Sequence, residues 1–467
     1  MKHANPGSDL SPYDKIHMIG IGGIGMSAIA ELLLSSGKKI SGSDINSSEI
    51  TKKLAKKGIE VFIGHSAEHI KGMDLVIYTS AVHADNPEYA KAMELNIPTM
   101  DRAEALGLLM KNFKEIIAVS GAHGKTTTTS MISMIFEDSG VDPTILVGGM
   151  IEEISGNVKV GKNDYMITEA CEYKENFLKF HPTIEIILNV DEDHLDYFRD
   201  LKHIMEAFGK FTECLPKRGT IVANFDDYNV RVVCADSDKK TISYGINGDA
   251  DYKAINIVYT DNGTPSFEVL KGGQPYCRFE LSVPGKHNIY NALAAIAACD
   301  ACGIETDAIQ KRLKSFHSPK RRFEIKHKMN GITIIDDYAH HPSEIKATLE
   351  AAGRYPHRKI WSIFQPHTFS RTKALLSDFS SSFGKADRVV ITDIYAAREE
   401  DSGQVHSNEL ANLVKEEGVD VKYISSFEDA AKHVASIAEP GDLIITMGAG
   451  DVYIIGDLIA KILETQK

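Results

Sequence analysis

Along the whole chain, short apolar runs rich in branched residues alternate with longer stretches whose apolar residues recur at helical spacing. KIHMIG (15–20) reads as a strand, residues 26–36 as a helix stopped by Gly37, and residues 39–43 as the next strand. EVFIGH (60–65) and DLVIYTSAV (74–82) continue the alternation. A helix over residues 102–110 closes this first unit ahead of a linker, MKNFKE (110–115). The second unit opens with a strand at residues 116–120, followed by a helix carrying Met131, Ile132, Ile135 and Phe136 up to Gly140. Its strands DYMITEACE (164–172) and IEIILNVDEDHLDYF (184–198) both run into acidic residues.

Residues 239–279 change texture. ADYKAINIVYT, SFEVLK and YCRFELSV alternate around Asp-Asn-Gly and Gly-Gly, the pattern of β-hairpins. An alanine-rich helix follows Pro284-Gly285. The third unit alternates again, with strands in GITIIDDYAHHPSEI, KIWSIFQPHTFSRT, DRVVITDIYAAREE and GDLIITMGAGDVY. Strands alternating with helices make parallel sheets. The pattern predicts an α/β protein of three domains. These are a Rossmann-like N-terminal domain (1–111), a central P-loop ATPase-type α/β domain with extra β-hairpins (112–322), and a Rossmann-like C-terminal domain (323–467).

Composition narrows this little. The 467 residues are too many for one core, and 43% apolar with 25% charged is ordinary for a soluble enzyme. A net charge of −13 argues against nucleic acid or a membrane as partners. No apolar run is long enough to span a bilayer, and the N-terminus lacks a signal-peptide core, so a cytoplasmic location is expected. Six scattered cysteines suit a reducing compartment, and Cys299 and Cys302, inside the alanine-rich helix, read as packing.

The chemistry concentrates at strand ends. Strand, Gly121-Ala122-His123-Gly124-Lys125-Thr126-Thr127, then helix is the context of a phosphate-binding loop. Val119 stands where the usual pattern has its first glycine, so the loop is a shortened form. Near the start, Gly20-Ile21-Gly22-Gly23-Ile24-Gly25 satisfies G-x-G-x-x-G, with Asp44 19 residues beyond Gly25 at a strand end. That fingerprint suits NAD, but a glycine turn and a ribose-binding acid serve a UDP-sugar equally well. Glu169, Glu172, Asp191, Glu192, Asp193, His194 and Asp196 follow two neighbouring strands, as a Mg2+–nucleotide site requires. Asn288 and Asn291 share a helix face beside His287, and Lys320-Arg321-Arg322 follows Pro319. In the third unit the strand ends carry Asp336, Asp337, Tyr338, His340 and His341, then His367 and Arg371, then Asp393 and Arg398. Adjacent histidines point apart, so His340 and His341 read as substrate contacts or helix caps before metal ligands.

In order, G-x-G-G-x-G-M, G-x-H-G-K-T-T, E-A-C-E, N-V-D-x-D-H-L-D, H-N-x-x-N-A, D-D-Y-A-H-H-P and Q-P-H-x-x-S-R-T resemble the Mur ligase family over nearly the whole chain. The resemblance implies an ATP-dependent ligase of peptidoglycan precursor synthesis, joining L-alanine to the lactyl carboxylate of UDP-N-acetylmuramate through an acyl phosphate. It implies ATP and Mg2+ as cofactors, and a monomer or weak homodimer. Lys125, Glu169, His194, His340 and Arg371 would be catalytic. Gly121, Ala122, His123, Gly124, Lys125, Thr126, Thr127, Asn288, Asn291, Arg322, Asp337 and Tyr338 would bind ATP. Gly22, Gly23, Gly25, Met26, Ser27, Asp44, His65 and Ser80 would bind the UDP-sugar. Thr126, Glu169, Glu172 and His194 would hold metal, with Glu169 and Glu172 both open as the direct ligand. His341 would help to orient alanine or the acyl phosphate.

Two departures stand out. Thr368 occupies a position where many relatives carry arginine, and no lysine in the acidic stretches matches the modified lysine of sister ligases. Three other readings are a recycling ligase that adds a tripeptide to the same sugar nucleotide, an NAD-dependent oxidoreductase, and an ATP-binding regulator or transporter subunit.

Overall fold

The computed structural model describes residues 9–79, 81–397, 399–401 and 403–465. Each third of the chain builds its own sheet. In the first, β1 (Lys15–Ile19), β2 (Lys39–Asp44), β3 (Glu60–Ile63), β4 (Leu75–Tyr78) and β5 (Thr99–Asp101) pair in the order β3-β2-β1-β4-β5, all parallel. β1 is buried beyond Lys15, which is why it reads as a continuous apolar run. Gly20, at φ 81, turns the chain towards the helix Ile24–Ser35, and Gly37 in the left-handed region ends that helix. The helix Arg102–Met110 starts with a capping box between Asp101 and Glu104.

The central sheet has ten strands. They are β6 (Glu115–Ser120), β7 (Thr144–Ile151), β8 (Gly156–Lys159), β9 (Tyr165–Glu169), β10 (Ile184–Ile187), β11 (Thr220–Asn224), β12 (Lys240–Gly245), β13 (Tyr252–Tyr259), β14 (Pro265–Lys271) and β15 (Gln274–Glu280). Their order is β15-β14-β13-β12-β11-β10-β6-β9-β7-β8, so the loop-bearing strand β6 lies between the two strands that end in acids. β13, β14 and β15 form the expected antiparallel meander. Residues 240–245 do not belong to it; they pair in parallel with β11 and continue the sheet. The β7–β8 hairpin was not expected, since Gly148 and Gly149 interrupt its apolar run. The helices Lys125–Asp138 and Lys286–Ala301 share one core, where the side chains from Ala292 to Cys299 are fully buried. Small residues there let the two helices approach closely, and Cys299 is packing rather than chemistry.

The third sheet takes the order β16-β17-β21-β18-β19-β20. Its strands are β16 (Glu324–Met329), β17 (Ile332–Asp337), β18 (Ile360–Phe364), β19 (Arg388–Ile391), β20 (Asp420–Tyr423) and β21 (Leu443–Met447). Only the pairing of β16 with β17 is antiparallel. Trp361 is buried at the centre and its indole donates to Asp442 Oδ2 at 3.0 Å. Among the described residues no helix is long and apolar enough to cross a membrane.

The N-terminal sheet is fixed to the central one at a tight point. Gly107 faces the carbonyl of Lys179, and a Cβ there would lie 2.0 Å from that oxygen. Alanine for glycine inside a helix ordinarily gains about 1 kcal/mol. Here Gly107→Ala is expected to lower the melting temperature, at a cost of about 1–3 kcal/mol from overpacking. A raised melting temperature would show that the two units do not meet this way.

Candidate active site

β6 ends at Ser120, and the chain must turn within four residues to start a helix at Lys125. Gly121 (φ 132) and Gly124 (φ 87) make that possible. A Cβ at Gly124 would strike Asn291 Oδ1 at 2.6 Å, so the loop is seated against the asparagine face of the helix Lys286–Ala301. Asn189 clamps it from the other side, accepting from His123 N at 2.8 Å and donating to His123 O at 3.0 Å. The helix has no side-chain cap, which leaves its first turn available to an anion.

Lys125 Nζ folds back on the loop. It donates to the carbonyls of Gly121 and Ala122 and pairs with Glu172 Oε2 at 3.2 Å. Burial opposes its charge, but Glu172 outweighs burial and holds the pKa above the ordinary lysine value. Glu172, Asp193 and His194 offer ligand atoms all within 4.8 Å of one another. Asp193 is held well below the usual carboxylate range: burial pushes it up, but His194 and Arg371 prevail. His194 has a left-handed backbone (φ 55), and burial lowers its pKa. Glu169 turns aside to accept from Gly148 N at 2.6 Å, on the same strand as Gly149, which Thr126 touches. Two carboxylates and an imidazole beside a phosphate loop fit a hard divalent ion, with Thr126 and Glu169 on the same wall.

These groups border a chamber of about 590 Å3 that draws on all three units. Ile24 comes from the first glycine turn, Lys125, Thr126, Glu169, Asp193 and His194 from the centre, and Tyr338, His340 and Glu344 from the third unit. A second cavity of about 540 Å3 runs from His123, Gly124 and Thr127 past Asn288, Asn291 and Arg322 to Asp337. Neither asparagine caps its helix, whose N-cap is Gly285. Asn291 donates to Asn288 Oδ1 and Asn288 to Pro284 O, which fixes both amides towards the loop. Asp337 is largely committed to its own unit, accepting from Phe323 N, Ala339 N and Thr348 Oγ1. Tyr338 lines the chamber rather than the nucleotide cavity. Arg321 binds Asp336 and two carbonyls of the last glycine turn, whereas Arg322 borders both cavities.

A third, smaller cavity of about 200 Å3 adjoins the chamber at Asp193, His194 and Tyr338. Arg371, His367 and His340 line it with Ala374, Leu375 and Leu195. Arg371 donates to Asp193 Oδ1 at 2.8 Å across the unit boundary. His341 turns away: it caps the helix Pro342–Ala352 and pairs with Glu192 O at 2.8 Å.

The N-terminal residues are placed less openly. Gly22 N donates to Asp44 Oδ2 at 2.9 Å, so this acid supports the glycine turn. Met26 and Ser27 have buried side chains in the helix, and Ser27 Oγ bonds Ile24 O, which leaves their backbone as the part near the turn. His65 points inward to Ser43 and Glu88. Gly23 is the N-cap at the end of the turn and Gly25 lies in the first turn of the helix, and Ser80 is outside the described residues, as is Arg398. Sequence reasoning did not single out Arg102, whose guanidinium lies 2.8 Å from where a Cβ of Gly25 would sit. It also missed Asn189, although its place just past β10 marks it as a strand-end group.

Three family models match in succession: "Mur ligase family, catalytic domain" over residues 15–114, "Mur ligase middle domain" over 119–299 and "Mur ligase, glutamate ligase domain" over 321–450. The chain belongs to the Mur ligase family. It is 54% identical to the UDP-N-acetylmuramate–L-alanine ligase of Alkaliphilus metalliredigens, over 95% of this chain and 96% of that protein. It is 51% identical to the enzyme of the same name from Caldanaerobacter subterraneus, over 98% and 99%. Among solved structures, the UDP-N-acetylmuramate–alanine ligase of Thermotoga maritima superposes with a TM-score of 0.81 at 31% identity, covering 97% of this chain and all of that one.

His123 ties loop to third unit. Its ring pairs with Asp191 Oδ2 and Glu344 Oε1, each at 3.3 Å; burial would lower its pKa, but these carboxylates raise it to about 9. Since the folded value exceeds the ordinary 6.5, the pairing stabilises fully below about pH 6.5 and is lost as pH rises through 9. The urea midpoint of the wild type is expected to fall over that interval, and His123→Asn to flatten the fall by at most about 3 kcal/mol. Equal slopes in the two proteins would refute the pairing.

Proposed function

We propose that this protein joins L-alanine to the lactyl carboxylate of UDP-N-acetylmuramate, with ATP converted to ADP and phosphate. The observation that carries the reading is the chamber in which loop, acids and third-unit side chains meet, with a small pocket opening from it. Residues 1–111 hold the UDP end, residues 112–322 hold ATP, and residues 323–467 bring the amino acid.

ATP lies with its base in the cavity beside Asn288 and Asn291 and its phosphates on the loop. The lactyl carboxylate attacks the γ-phosphorus, and ADP leaves. Attack by one anion on another needs positive charge placed in advance, and Lys125 supplies a fixed one. Glu172, Asp193 and His194, with Thr126 and Glu169 nearby, would hold Mg2+, which would supply neutralisation of phosphate charge. The alanine amine then adds to the acyl carbon, and the tetrahedral adduct expels phosphate to leave the amide. Arg371 and His367 face the alanine carboxylate, while Ala374 and Leu375 receive its methyl. A cavity of about 200 Å3 is below the 300–1,000 Å3 usual for larger ligands, which favours a single amino acid over a tripeptide. Seating the third unit over the chamber keeps water from the acyl phosphate.

Lys125→Ala is expected to cut phosphate release at least about 100-fold while leaving UDP-N-acetylmuramate binding intact. Unimpaired turnover would remove the loop from the mechanism. Phosphate release with the sugar nucleotide is expected with L-alanine, about 10–200-fold less efficiently with glycine, which lacks one methyl, and not with a tripeptide. Release with the tripeptide would replace this reading by the recycling one.

A further inference from the structure

A second cluster of histidines and acid lies away from these cavities, in the N-terminal unit. Five parts of the N-terminal unit supply it: His17 from β1, Ser41 from β2, His65 after β3, His69 from the turn Ala67–Ile70, and Glu88 from the helix Pro87–Glu94. None of the five borders the three active-site cavities. His17 and Glu88 are fully buried, a rare state for both residue types. His69 Nδ1 lies 2.6 Å from Glu88 Oε1, and His65 Nδ1 lies 2.9 Å from Glu88 Oε2.

His17 is the informative member. Its Nδ1 is 2.9 Å from Ser41 Oγ, whose own proton goes to Met73 Sδ at 3.8 Å. With that proton turned to sulfur, Ser41 accepts from His17 Nδ1, the tautomer that leaves a lone pair on Nε2. That lone pair points at Glu88 Oε1 from 3.5 Å, and Nε2 has no hydrogen-bond partner although it is completely buried. A carboxylate oxygen and an imidazole lone pair facing each other without solvent call for a cation between them. A shared proton would draw the atoms to about 2.7–2.9 Å. A tetrahedral ion with bonds near 2.05 Å separates its ligands by about 3.3 Å, close to the 3.5 Å between His17 Nε2 and Glu88 Oε1, whereas the 2.6 Å between His69 Nδ1 and Glu88 Oε1 has to open when an ion enters. Three ligand atoms converge here, from His17, His69 and Glu88, all within 4.8 Å of one another, where a proton needs only two. The bond from the far nitrogen of His17 to Ser41 is the outer-shell contact that fixes a metal-ligating histidine in its tautomer.

We propose that His17 Nε2, His69 Nδ1 and Glu88 Oε1 form a binding site for a zinc-class divalent ion, with His65 or a water as fourth ligand. Imidazole and carboxylate together suit Zn2+ over Mg2+. Binding releases to solvent the proton that His69 Nδ1 shares with Glu88. The ion cross-links β1, the turn Ala67–Ile70 and the helix Pro87–Glu94 behind the glycine turn. Ser43, which touches His65 and Glu88, passes its carbonyl to Gly20 N and Ile21 N of that turn.

The test uses the full chain carrying His194→Ala and His341→Ala, which disarms the other two histidine–carboxylate groups. After stripping with chelator, the protein is loaded with Zn2+, gel-filtered and analysed for metal, and Co2+ is added in parallel as a visible-absorption probe. One Zn2+ per chain and an intense tetrahedral Co2+ band are expected. Glu88→Gln and His69→Ala in this background should each weaken Zn2+ binding at least about 100-fold. Should those variants not fold, X-ray absorption of the folded background protein decides, with imidazole scatterers expected at about 2.0–2.1 Å. No retained metal, a spectrum without imidazole ligands, or undiminished binding in folded Glu88→Gln and His69→Ala would overturn the proposal and leave a cage held by protons alone.

Discussion

The ion pair between Lys125 and Glu172 sets the terms for the rest of the site. A lysine ammonium with little access to water needs an anion, and the one it has also faces His194 and Asp193. From there charge alternates outward: His194 lies 3.8 Å from Asp193, and Asp193 is bound by Arg371 of the third unit. A nucleotide entering the loop competes with Glu172 for Lys125, and every group along this line feels the exchange. A parallel line runs from His123 through Glu344 to His340. The third unit thus shares ion pairs with the residues around the phosphate loop, beside the packing of Leu195 against its core.

Sheet topology brings these charges to one place. β6 has β9 and β10 as its neighbours, so the loop and both acidic strand ends emerge side by side. In the third sheet β17 and β18 flank β21, and their ends deliver Tyr338, His340 and Arg371 from the opposite direction. The first sheet's unit joins at Gly107 against Lys179, and also where Asn157 of β8 donates to the carbonyl of Ile24 at 2.9 Å. The unexpected β7–β8 hairpin is thus a strut between the first glycine turn and the chamber, as well as the wall that receives Glu169.

Much of this was legible because buried parallel strands are apolar runs and strand ends in such sheets are polar. The helix Arg102–Met110 and the meander β13–β15 stand where the sequence pattern placed a helix and, through glycines and alternation, hairpins. β16 and β20 were not, since EIKHKM and DVKY are half-exposed edge strands with no apolar run. In the site, residue types and order were readable but side-chain direction was not. Met26 and Ser27 sit in the motif yet face the core, and His65 follows a strand yet turns inward to Glu88. Asp193 looked like one acid among several; only the fold shows that Arg371 reaches it from 178 residues away.

Thr368 shows how the turn after β18 is held. Its backbone is in the left-handed region (φ 66), and its hydroxyl caps the short helix Phe369–Ala374 by accepting from Arg371 N. The side chain is buried, so an arginine there would have to leave the cap to reach a ligand. Arg371 itself is bound to Asp193 through Nε and Nη2. A guanidinium has five N–H donors in a fixed fork. Two serve Asp193 and one faces His367 Nδ1 at 3.3 Å, which leaves two for an incoming anion. Asp193 consequently aims the guanidinium without using it up, and His367 stands beside its free edge.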